Sequence, residues 1–231
     1  ASTLGTLSAA MAGGNGTIAA GVQFLDSGSP CPGCAAAIPT REGELLTEGE
    51  WRSSSFAATV AYARPVFGVR VGVAAKYVEQ RIPADRDGTI AADIGAAMDV
   101  GRFWVGASAR NLGPAIALAG ERWRLPQRYT VGVAGEGFLV GPVDVAASAA
   151  LWADADGDVT PALGVEGGWT PLEGYTVLGR AGVRVVHGDG GEPITLGAAL
   201  VADRLQVEYA WRAFDGVGDA HRVGLRWRAG G

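Results

Sequence analysis

Two cysteines, two histidines and no long apolar run are the first things to notice in this chain of 231 residues. No apolar stretch approaches the roughly eighteen residues of a membrane-spanning helix, although the mean hydropathy is slightly positive. If the chain crosses a membrane, it crosses as strands. The net charge of −5 is mild and suggests neither nucleic-acid binding nor a polybasic lipid anchor. The cysteines stand together in Cys31-Pro32-Gly33-Cys34. A thioredoxin-like redox centre would place that motif at the start of a helix beside a parallel sheet, and neither is indicated. A zinc site would need two further ligands, and His187 and His221 are distant in sequence. The pair reads as a loop disulfide or as two idle thiols. No metal and no cofactor is expected.

What the chain does have is alternation. From Thr89 to Val100, Ile90, Ala92, Ile94, Ala96, Met98 and Val100 fall on one side; Asp93 and Asp99 fall on the other with small residues. From Val69 to Glu79, Val69, Val71, Val73, Ala75 and Tyr77 oppose Arg70, Gly72, Ala74 and Lys76. Successive side chains on a strand point to opposite faces, so these are two-faced β-strands. Many such segments recur, each close to the ten or so residues that cross a bilayer at a tilt. The pattern predicts an all-β fold: a transmembrane antiparallel up-and-down β-barrel, greasy outside and polar inside. The 37 glycines, costly in a soluble sheet, give inward side chains room in a narrow interior.

Turn signals predict about thirteen strands, near residues 3–12, 17–25, 53–63, 68–80, 89–100, 103–111, 128–137, 143–152, 159–170, 175–186, 194–201, 205–214 and 221–228. Their connections alternate in length. Short turns follow the odd strands, and longer loops such as 26–52, 81–88 and 112–127 follow the even ones. Bacterial barrels have short periplasmic turns and longer external loops. An odd count does not close an antiparallel barrel, so one more strand is expected upstream of Ala1, fourteen in the parent. The expected organisation is one barrel domain over 1–231, lacking an N-terminal strand, in the bacterial outer membrane. An exported protein carries a leader, and none is visible at Ala1, so a mature form or a fragment is expected. Phe67, Phe103, Phe138, Trp169 and Tyr175 flank the short turns, where interfacial aromatics belong; Tyr77, Trp152 and Phe214 approach the outer ends.

The expected inward face carries Arg70, Lys76, Asp93, Asp99, Arg110, Glu136, Asp144, Glu166, Arg180, Arg184, Glu208, Arg212, Arg222 and Arg226. Hairpin symmetry pairs several of them. Lys76, Asp93 and Arg110 should lie side by side, Glu166 should meet Arg180 about Glu173, and Glu208 should meet Arg222 about Asp215. Two readings stand for this network: a salt-bridge lattice that fills the barrel and specifies strand register, or the polar lining of a solute path. Its carboxylates could do acid–base work, but no nucleophile–base set or metal-ligand spacing accompanies them. Gly188-Asp189-Gly190-Gly191 is a turn and not a phosphate loop, because no helix follows. No enzyme is expected.

Several stretches together resemble the PorV/PorQ family of outer-membrane barrels. They are Ser55-Phe56 through Tyr62-Ala63-Arg64, Gly72-Val73-Ala74-Ala75-Lys76-Tyr77 and Ala92-Asp93-Ile94-Gly95. Gly106, Arg110-Asn111-Leu112-Gly113, Leu125-Pro126 and Gly132 follow, then Glu208-Tyr209-Ala210-Trp211 and His221-Arg222-Val223-Gly224-Leu225. The likeness runs from about Ser53 to Arg228. It implies a fourteen-stranded, FadL-like barrel associated with type IX secretion, whose PorV-like members bind the C-terminal signal domain of secreted cargo. Two features depart from the family: nothing matches its "NPA"-type opening segment, and Trp227 is followed by Arg228-Ala229-Gly230-Gly231 in place of a terminal aromatic.

The function expected on that resemblance is non-catalytic docking of secreted or surface proteins through external loops. The 26–52 loop, with Glu42, Glu44, Glu48 and Glu50, is one candidate contact. The alternatives are a transport channel for a hydrophobic or small solute, or a structural barrel in a larger outer-membrane assembly. The expected partners are outer-membrane lipid, secreted proteins and other outer-membrane or periplasmic components, and no nucleic acid.

Overall fold

The structure, a computed structural model, describes residues 2–27, 53–83, 85–185, 194–214 and 218–229. Its elements are β1 (Thr3–Gly13), β2 (Gly16–Asp26), β3 (Ser54–Val66), β4 (Val69–Ile82), β5 (Asp85–Val100), β6 (Phe103–Leu112), β7 (Ile116–Leu118), β8 (Glu121–Trp123), β9 (Arg128–Val140), β10 (Val143–Asp154), β11 (Val159–Leu172), β12 (Tyr175–Arg184), β13 (Ile194–Ala202), β14 (Leu205–Phe214) and β15 (Gly218–Trp227). Thirteen of them form one sheet in the order β1-β2-β3-β4-β5-β6-β9-β10-β11-β12-β13-β14-β15. The order is up-and-down, as the alternation predicts. β7 and β8 pair only with each other. Among the described residues no helix is long and apolar enough to cross a membrane, which says nothing about crossing by strands.

The reversals follow a rule. Strands joined across residues 14–15, 67–68, 101–102, 141–142, 173–174 and 203–204 each turn on two residues. Phe67 and Gly68 both have positive φ, 49° and 82°, the backbone of a type I′ hairpin, which matches the twist of the strands it joins. The reversals at the other end are mostly longer. One departs from expectation: β4 continues to Ile82 and β5 begins at Asp85, so most of the loop foreseen over 81–88 belongs to strands.

The chain divides into two compact units, Ala1–Ala96 with Ser108–Arg128, and Ala97–Ala107 with Tyr129–Gly231. In the first, the register sets Leu7, Val22, Ala58 and Tyr77 in one row, and Ser8, Gly21, Thr59 and Lys76 in the next. Leu7, Val22 and Tyr77 of the first row are exposed; of the second, Gly21, Thr59 and Lys76 are half-buried and Ser8 is exposed. Ile90 keeps 68 % of its surface, whereas the Lys76 side chain keeps 11 %. An antiparallel sheet in water buries its apolar face and wets its polar one; here the assignment is reversed. Uncovered, such a face costs about 25 cal/mol for each Å² of apolar surface in contact with water.

The second unit repeats the inversion. Along β12, Tyr175, Val177 and Val183 are exposed, while Leu178, Arg180, Gly182 and Arg184 are half-buried. On β15, Val223 is 79 % exposed. Near the 101–102 turn, Phe103 and Phe138 lie with ring centroids 6.3 Å apart. Trp169 and Tyr175 are exposed beside the 173–174 turn. Trp152 stands opposite Thr160, half-buried on the face that carries Asp144 and Glu166.

Buried apolar side chains are few. Ala91, Ile116, Leu118 and Leu125 form one cluster, with Val78 and Ile82 packed against it. Ile116 and Leu118 come from β7. This hairpin lies within 112–127, which the sequence reads only as a loop.

Candidate functional site

Two groups of charges form on the face opposite the exposed apolar residues, one in each unit. In the first unit, Lys76 on β4, Asp93 on β5 and Arg110 on β6 meet. Lys76 Nζ lies 2.7 Å from Asp93 Oδ1, and Arg110 Nε lies 3.8 Å from Asp93 Oδ2. The Asn111 backbone N–H donates to Asp93 Oδ1 at 2.7 Å, and Lys76 also donates to Asn111 Oδ1. Asn111 Nδ2 in turn donates to the Pro126 carbonyl at 2.7 Å. Asn111 sits at φ 59°, a left-handed conformation that asparagine tolerates better than most residues. One side chain thus ties a strand end, a lysine and the far end of the 112–127 segment.

Two residues on, Gly113 runs close beneath β5. A Cβ there would stand 2.5 Å from the Ile90 carbonyl oxygen and 3.0 Å from Ala91 Cα, both backbone atoms. Only glycine fits without a shift of main chain. The Asn111-Leu112-Gly113 and Leu125-Pro126 pieces therefore converge on one place: Asn111 bonds Pro126, and Leu125 joins the buried cluster.

In the second unit, Arg180 on β12 bridges two carboxylates. Its Nε pairs with Glu166 on β11, directly opposite in register. A second guanidinium nitrogen lies 3.3 Å from Glu208 Oε2 on β14. The reach across β13 is possible because Gly197 stands opposite Arg180 and offers no side chain to block it. Gln206 Nε2 donates to Glu208 Oε2 at 3.4 Å. The expected meeting of Glu208 with Arg222 does not occur. The register sets Glu208 opposite Gly224, and Arg222 opposite Ala210. Strands β14 and β15 fold about residue 216, one later than hairpin symmetry about Asp215 assumes. Glu208 leans over Gly224, where a Cβ would come within 2.8 Å of its Cγ, and turns to Arg180.

The remaining charges scatter. Arg184 and Arg212 are half-buried, opposite Ala162 and Thr195. Asp144, opposite Gly168, and Arg226, opposite Gln206, are exposed. Asp99 and Arg70 are exposed near the 101–102 and 67–68 turns. Cys31, Cys34 and the Glu136 side chain lie outside the described residues. Among the described residues no group of three or more His, Cys, Asp or Glu is placed to hold a metal ion.

Two carboxylates that sequence reasoning missed act just above the first group. Asp87 Oδ2 accepts the Ala117 N–H at 2.6 Å, and Asp85 Oδ2 accepts the Ala119 N–H at 3.0 Å. They fasten the hairpin to the end of β5, beyond the Thr89–Val100 stretch read as membrane-spanning. The Ala117 amide, seconded by that of Gly88, holds the Asp87 carboxyl below its ordinary value. The available signal was the alternate spacing of Asp85 and Asp87, which sets both on one side of a strand.

No protein-family model matches this chain, and no curated protein matches it either.

Proposed function

We propose that the chain is a non-catalytic outer-membrane β-barrel of the PorV/PorQ type, docking secreted or surface proteins through its outer loops in a type IX secretion setting. The observation that carries the membrane part is the inverted burial. In both units, large apolar residues cover the exposed face, and charges retreat to the other. In a bilayer the first face meets acyl chains and the second lines the interior. Two-residue turns at one end and mostly longer connections at the other suit periplasmic and external sides. Arg180 spanning two carboxylates, and Lys76 with Asp93, suit a lattice that fixes register. The partner class comes from the resemblance in the Asn111-Leu112-Gly113, Leu125-Pro126 and terminal-strand residues.

Two measurements test the two parts. The protein should partition into membranes and need detergent to stay monodisperse; a monomer in plain buffer ends the membrane reading. Immobilised protein should then enrich the C-terminal domains of secreted proteins over a control barrel. No enrichment ends the docking reading while leaving the barrel intact.

A further inference from the structure

The β7–β8 hairpin is fastened from several sides, all within the first unit. Its reversal, Ala119-Gly120, has φ of 52° and 84°, again a type I′ turn. Ile116 and Leu118 are buried against Ala91, Val78 and Ile82. Strand alternation puts Val78, Ile82 and Ala91 on the side of Lys76 and Asp93, opposite exposed Tyr77 and Ile90. The hairpin therefore lies on the charged face and not on the apolar one. Two aspartates clamp its backbone amides, Thr89 Oγ1 reaches the Pro114 carbonyl at 3.5 Å, and Asn111 holds its exit at Pro126.

An external loop with no role on that face would stay in water. Here the loop closes back, and its apolar side chains supply the largest buried cluster among the described residues. The cluster sits at the end of β4 and β5 away from the two-residue turns, directly above the Lys76–Asp93 pair. Beside this cover the Lys76 and Asp93 side chains keep only 11 % and 20 % of their surface.

We propose that residues Pro114–Leu125 form a built-in stopper, an inward-folded hairpin that closes the outer end of the charged face and is latched by Asp85 and Asp87. The proposal rests on the barrel reading, in which that face lines the interior. The protein is then non-conducting as folded, and releasing the latch admits ions and small polar solutes.

The test uses the full chain in phosphatidylcholine vesicles and planar bilayers, with potassium chloride current and arabinose-driven swelling as readouts. Wild-type protein should stay near the level of empty membrane. Asp85→Ala/Asp87→Ala should raise the time spent conducting by roughly tenfold or more, the scale expected from losing two charge-assisted bonds. Excising residues 115–124 and bridging with two glycines should give a steady pore. Steady current from wild type at low voltage would overturn the stopper, and so would an excised variant that inserts yet stays silent. Flotation with the vesicles reads the barrel separately. Wild type that fails to float ends the reading on which the stopper rests, whatever the currents. If the variants fail to float, the wild-type current still decides.

Discussion

The charge groups of the two units are built from the same alternation and differ in what covers them. Around Asp93, Lys76 is 11 % exposed and Asp93 20 %, under a hairpin, and Asn111 at the end of β6 adds its backbone amide and its side chain. Around Arg180, the guanidinium side chain and its partners Glu166 and Glu208 keep between 33 % and 39 % of their surface, and Gln206 adds a further bond. The first is a roofed junction joining strands to a loop. The second is an open bracket across strands. Alternation decides which residues share a face; the 112–127 segment decides which charges become structural.

That contrast can be broken, beginning where the effect should be largest. Leu118→Ala opens a hole in the buried Ala91–Ile116–Leu118–Leu125 cluster and should lower stability by about 3 kcal/mol, read as the unfolding midpoint in detergent with urea. Asp93→Asn removes the counterion of a nearly buried lysine. The expected loss is about 2 kcal/mol, below the 3–5 of a fully buried pair because Asp93 keeps some contact with water. Restoring part of that loss with a second change, Lys76→Met, would identify the unpaired charge as the cause. Glu208→Gln, in the open bracket, should cost only about 0.5 kcal/mol. A loss as large as that of Asp93→Asn would erase the distinction between the two groups.

The smallest expected effect is that of pH. Asp87 has a lowered pKa, so its contribution is fully present above the ordinary carboxylate range, near 4, and is lost as pH falls through its lowered value. Protease cleavage at the hairpin should stay constant from pH 7 to about 5 and rise only in stronger acid. Cleavage that rises near pH 6 would mean that another group holds the hairpin.

Much of this was legible in the sequence. Residues such as Ile90, Ile94 and Met98 against Asp93 mark a strand and its two faces, and equal distance from a turn brings Lys76, Asp93 and Arg110 together. The Glu166–Arg180 pair follows from the same arithmetic. Turn symmetry misplaces partners where the turn's centre is uncertain: a shift of one residue in the centre of the β14–β15 register sets Glu208 opposite Gly224 and leaves it to Arg180 in place of Arg222. The β7–β8 hairpin was hidden for a different reason. Its strands are three residues long, too short to show a period, and Gly113, Pro114, Gly120 and Pro126 around them read as punctuation. Asp85, Asp87 and Gly88 likewise read as loop, because their partners are amides of a segment distant in sequence.

The six two-residue reversals leave this polypeptide little tolerance for length change at one rim. Adding a single residue to the 67–68 or 203–204 connection would rotate the downstream strand by half a turn, moving its arginines to the apolar face and its valines to the charged one. Natural or engineered insertions, peptide tags included, should therefore be rejected at these six reversals.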